Sequence, residues 1–95
     1  MFISSSKITI STYGCNSLKE KRTIVKSIIN SVKAKFNVSI SEVDLNDNLT
    51  KALLGVTFTS NEKEFSERMI EKVISFIEKR YPGQIDSYDL EIYYR

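Results

Sequence analysis

Histidine and tryptophan are absent from this sequence, cysteine occurs once, at Cys15, and proline once, at Pro82. Without histidine and with one thiol, neither a Ser-His nor a Cys-His nucleophile pair can be assembled within the chain. The same shortage excludes an intramolecular disulfide and leaves a Cys/His zinc site without ligands. An enzyme built from these residues would rest on carboxylates, lysine, tyrosine or a borrowed cofactor. No acid–base pair stands out and no residue set calls for a cofactor or a metal, so the expectation is a non-enzymatic domain. No apolar run approaches membrane-spanning length. Met1-Phe2-Ile3 gives way at once to Ser4-Ser5-Ser6-Lys7, too short a core for a signal peptide, so the cytoplasm is the expected compartment and no membrane partner is expected.

Acids are scarce in one part of the chain. Through Ser41 there are seven cations against Glu20 alone, whereas from Glu42 onward seven cations face eleven acids. The overall net charge of +2 hides that split. A division of this kind points to a basic face and hence to an anionic partner.

The 95 residues amount to one domain, spanning 1–95, with a core that leaves little surplus. Ile8-Thr9-Ile10 alternates and reads as a strand beginning near Phe2. A helix is expected over Leu18 to Lys35, opened by the Ser-x-x-Glu capping box of Ser17 and Glu20. Phe36 to Ile40 alternates as a second strand, and Asp44-Leu45-Asn46-Asp47-Asn48 is rich in turn formers. Ala52 to Phe58 reads as a third strand. Asn61 and Glu64 have capping-box spacing for a second helix, which Pro82-Gly83 ends. Asp86 to Tyr94 reads as one last strand. The order β-α-β-β-α-β predicts an α+β fold of the ferredoxin-like kind, a four-stranded antiparallel sheet with both helices on one face. By alternation, the other face would show mainly Ser and Thr. The base-stacking aromatics of RNA-recognition motifs are missing from its central strands.

The leading helix carries the one constellation with functional content. Lys19, Arg22, Lys26 and Lys33 fall within an arc of roughly 60° at about 100° per residue, and no acid shares that arc. Lys19 and Lys33 stand about 21 Å apart along a helix axis, room for several phosphates. A solvated helix face would also expose lysines, though acids usually interleave on one. Lys21 falls inside the apolar arc. Either its amine snorkels to water, or it is held beside the loop containing Gly14, where Gly14 and Ser17 at a helix N-terminus would offer an anion site. Cys15, without a base beside it, reads as an inert thiol. The Asp44–Asn48 segment resembles the start of a calcium loop but has Leu49 and Gly55 where glycine and glutamate are needed, so a metal there is not expected.

Ser17-Leu18-Lys19-Glu20-Lys21-Arg22, Val25-Lys26-Ser27, Lys35-Phe36-Asn37-Val38-Ser39, Glu42-Val43-Asp44, Leu54-Gly55-Val56 and Ser60-Asn61 together resemble the YlxP-like family of small bacterial proteins, a domain of unknown function. The resemblance implies a ferredoxin-like fold and brings no catalytic residues. Family members carry a tryptophan where this chain has Leu49 and often an arginine where it has Lys51. Their genes often lie beside those of translation and ribosome-maturation factors, which implies an RNA or ribosome context. The expectation is a domain that binds structured RNA or a ribosomal particle, with Lys19, Arg22, Lys26 and Lys33 on phosphate and Lys21 assisting near the loop. The alternative is a protein-interaction or small-ligand regulatory module that self-associates through its sheet as a homodimer.

Overall fold

A computed structural model describes all of residues 1–95 and begins with β1 (Phe2–Ser11), whose even-numbered side chains point into the protein. Next come α1 (Leu18–Lys35), β2 (Ser39–Asp44), β3 (Lys51–Ser60), α2 (Lys63–Arg80), β4 (Ile85–Tyr88) and β5 (Glu91–Tyr94). All pairings are antiparallel, in the order β2-β3-β1-β4, with β5 continuing along β1 beyond β4. Both helices cover one face, giving the ferredoxin-like α+β architecture that the element order predicts.

One core lies between the sheet and the helices. Ile8 and Ile10 of β1, Ile40 of β2 and Ala52, Leu54 and Val56 of β3 meet Val25, Ile28 and Val32 of α1 and Ile70, Val73, Ile74 and Ile77 of α2. Each large aliphatic side chain so buried is worth about 1.5–3 kcal/mol relative to exposure. On β1 the inward row continues with Ser4 and Ser6, which are fully buried. Each hydroxyl is satisfied locally: Ser4 donates to the Phe58 carbonyl at 3.3 Å and Ser6 to that of Asp89 at 2.6 Å.

Three elements depart from the sequence expectation, each for a local reason. The second strand begins at Ser39 rather than Phe36, because Phe36 caps α1: its N–H closes onto the Val32 carbonyl and its ring packs edge-on against Phe76. At α2 the Asn61–Glu64 capping box does not form. Glu62 is the N-cap residue and makes no side-chain cap bond, while the Ser60 hydroxyl accepts the Glu62 N–H at 3.2 Å and lies 2.6 Å from the buried Ser66 hydroxyl. The last strand is broken into β4 and β5 at Asp89 and Leu90, where the Asp89 carboxylate takes the Lys7 N–H at 2.7 Å.

Candidate functional site

Helix α1 is fixed at its start by side chains. Ser17 accepts the Glu20 N–H at 3.1 Å, and the Glu20 carboxylate reaches back to the Asn16 N–H at 3.2 Å, one residue before the N-cap Ser17, so the serine half of the capping box forms and the glutamate half is shifted by one residue. The buried stripe of α1 is Lys21, Val25, Ile28 and Val32. One flank turns toward α2, where the Tyr81 hydroxyl meets Ser27 at 2.8 Å and Ser31 at 3.1 Å. By helical spacing, Lys19, Arg22, Lys26 and Lys33 project from the opposite flank, and all four are exposed.

These four cations are unpaired. The molecule contains two ion pairs, Lys21–Glu42 and Lys51–Asp86, and neither involves the row. The acids of the C-terminal part of the chain therefore do not fold back onto it. Four like charges on one exposed flank attract a polyanion, and their long stems can adapt to its spacing.

The structure moves Lys21 out of that set. Its side chain is 1% exposed, so the amine does not snorkel to water. Instead Nζ donates to the Leu45 carbonyl at 2.6 Å and lies 3.3 Å from Glu42 Oε2. That carboxylate oxygen is buried and accepts no well-aligned hydrogen bond, which leaves the Lys21 ammonium as its compensating charge. Leu45 adopts a left-handed backbone, φ 62°, so the lysine grips the connection at its tightest point. A phosphate contact from Lys21 would require breaking this pair. Lys21 is thus an internal strut, and a buried lysine within an otherwise apolar arc was the signal in the sequence.

The anion loop has its own competitor. Gly14 is exposed with φ +100°, but Ser17 is committed to the cap and Glu20 sets a carboxylate on the Asn16 N–H. Negative charge already occupies this helix N-terminus, which removes much of its attraction for an external anion. Cys15 is a half-buried free thiol, and no group of acids, cysteine and histidine is arranged to hold a metal.

The open face of the sheet is largely Ser and Thr, as alternation predicts; its apolar side chains are Ile3 and Leu53, half-buried, and the more exposed Val43, at 52%, and Tyr93, at 51%. Val43 lies over Gly55, where an added Cβ would meet Val43 Cγ1 at 2.9 Å. Tyr93 donates to Glu91, and that bond together with the Glu91 charge raises its pKa above 10.0. A further constellation gives no signal in the sequence. Lys35 at the end of α1 lies over the rings of Phe36 and Phe76, 5.9 Å and 5.0 Å from their centroids. It spans two helices, so no spacing within either one announces it.

No helix is long and apolar enough to cross a membrane. A family described as a protein of unknown function (DUF503) matches residues 3–90. The chain is 38% identical over 66 residues to the uncharacterized protein YlxP of Bacillus subtilis (strain 168), covering 70% of this chain and 72% of that one. Among solved structures it is similar to the de novo designed protein Foldit4, with a TM-score of 0.54 and 17% identity over 99% of this chain and 97% of that one. It is also similar to the designed ferredoxin-fold protein LFR1 1, with a TM-score of 0.54 and 14% identity over 100% and 85% of the two chains. Identities this low speak for the fold alone.

Proposed function

The chain belongs to the DUF503 family, which carries no assigned activity, and from that starting point we propose that it binds structured RNA or a ribosomal particle through the exposed flank of α1. The observation that supports this reading is the row Lys19, Arg22, Lys26 and Lys33, exposed and free of any carboxylate partner. Contacts of this kind hold the phosphate backbone and fix orientation, while carrying no sequence information of their own. The domain acts as a binding module: the lysines of the row are exposed and stand beside no group that would activate them as base or nucleophile.

Four phosphate contacts give a log–log salt slope of about −3, so affinity for a duplex or hairpin RNA falls by about 60-fold between 50 and 200 mM salt. Arg22→Glu together with Lys26→Glu reverses charge at two exposed positions that support no core packing. This variant is expected to lose most of the affinity in an anisotropy titration and to sediment free of ribosomes at low salt. Undiminished binding and an unchanged slope would overturn the proposal. Self-association through the open sheet face is the competing reading, favoured by the exposure of Val43 and Tyr93 on that face.

A further inference from the structure

A second basic surface lies away from the α1 flank, and it is of another kind. It is a groove of about 460 Å³ between the end of α1 and the outer face of α2. Phe36 and Phe76 form its floor, in an edge-to-face pair with centroids 5.5 Å apart. Lys35, Arg68, Lys72 and Lys79 frame it, with Glu71 as the single acid. None of the four cations is in an ion pair. Along α2, Arg68, Lys72 and Lys79 are separated by about 6 Å and then about 10 Å of helix axis. The groove's volume is in the range of small-ligand sites.

We infer that this groove takes one unpaired nucleotide of a single-stranded RNA segment, the base against the two phenyl rings and the neighbouring phosphates on the four cations. The two rings stand 80° apart, so one flat base stacks on one of them and meets the other from its side, and the floor is too short to seat an amphipathic helix. Lys35 already rests over the ring faces, so an arriving base displaces a flexible ammonium instead of a packed side chain, and that ammonium remains at hand for a phosphate. Aromatic stacking within a positive groove is the general solution for single strands and tolerates any base. The inference extends the RNA reading to unpaired segments but stands on different residues, so the two fail separately.

The test compares a short oligouridylate, a blunt RNA duplex and poly-glutamate as probes of the full chain. Oligouridylate is expected to shift the NMR ring signals of Phe36 and Phe76, and the duplex to leave them in place. Lys72→Glu with Lys79→Glu alters only exposed positions and is expected to weaken oligouridylate by about tenfold or more. The same variant should hold duplex affinity within about twofold, since the α1 row is untouched. Phe76→Leu keeps an apolar floor without the ring and should weaken oligouridylate alone. Unmoved ring signals, unchanged oligouridylate affinity in the Lys72/Lys79 variant, or poly-glutamate shifting the rings as much as oligouridylate would each overturn the inference. The last outcome would assign the groove to an acidic protein. Loss of duplex binding on altering Arg22 and Lys26 would stand whatever the groove does.

Discussion

Lys21 shows how one side chain can change role between a sequence and a fold. Its helical angle places it among Val25 and Ile28, and the fold answers by supplying Glu42 and the Leu45 carbonyl. Removing one member of a buried pair leaves the other charge uncompensated, which generally costs about 3–5 kcal/mol. Glu42 keeps some contact with water, its side chain being 15% exposed, so Glu42→Ala should cost somewhat less, about 2–4 kcal/mol. In a domain of this size that lowers the unfolding midpoint by at least about 8 °C. Lys21→Met alone should also destabilise, because it strands the Glu42 carboxylate. The double variant Lys21→Met with Glu42→Leu should recover most of the loss, since a packed apolar pair replaces two desolvated ions. Urea unfolding of the four proteins decides this. A Glu42→Ala variant as stable as the parent would mean that the pair contributes nothing.

The helices are the elements most legible in the sequence. Leu18–Lys35 is found where its capping box and apolar stripe predict, because both signals are local. The start of α2 departs from the expected box because Glu62 is the N-cap residue, and the Ser60 hydroxyl, rather than the Asn61 amide oxygen, takes a backbone N–H there. The contact between the helices was invisible, since nothing in either stripe marks Ser27 and Ser31 as partners of Tyr81. Burial alone would raise the Tyr81 pKa, but the two serine hydroxyls and the nearby Arg80 outweigh it and bring it below 10.0. A phenol whose folded pKa is depressed adds stability above its unfolded pKa, and this contribution is lost as pH falls through the folded value. In an alkaline titration followed by NMR, Tyr81 should therefore ionise before free tyrosine, and Tyr93 after it. Replacing Ser27 and Ser31 with alanine should move Tyr81 upward. If it does not move, the hydroxyls are not what lowers it.

At the scale of the whole molecule, the sheet order was readable from element order and handedness, whereas the cation–aromatic groove was not, because it is made by residues 35 and 36 meeting residues 68 to 79 across two helices. The charge division was legible as a count. That the acids stay off the α1 flank is a property of the fold. Val43 and Tyr93 are the most exposed apolar side chains of the open face, and sedimentation equilibrium measures what they do. A dimeric mass that Val43→Asp reduces to a monomer would support self-association, and a monomeric parent would remove it. The strand at the centre of the sheet is also the first in the chain. β1 pairs with β3 some 50 residues later and with β4 and β5 near the far end. In a nascent chain β1 therefore has no partner until residues 51–60 have emerged, and the sheet can close only after residues 85–94 have followed. Folding should accordingly be slower than that of a helical bundle of equal length. The exposed edges of β1 are the place where a chaperone, or a neighbouring unfinished copy, would meet it first.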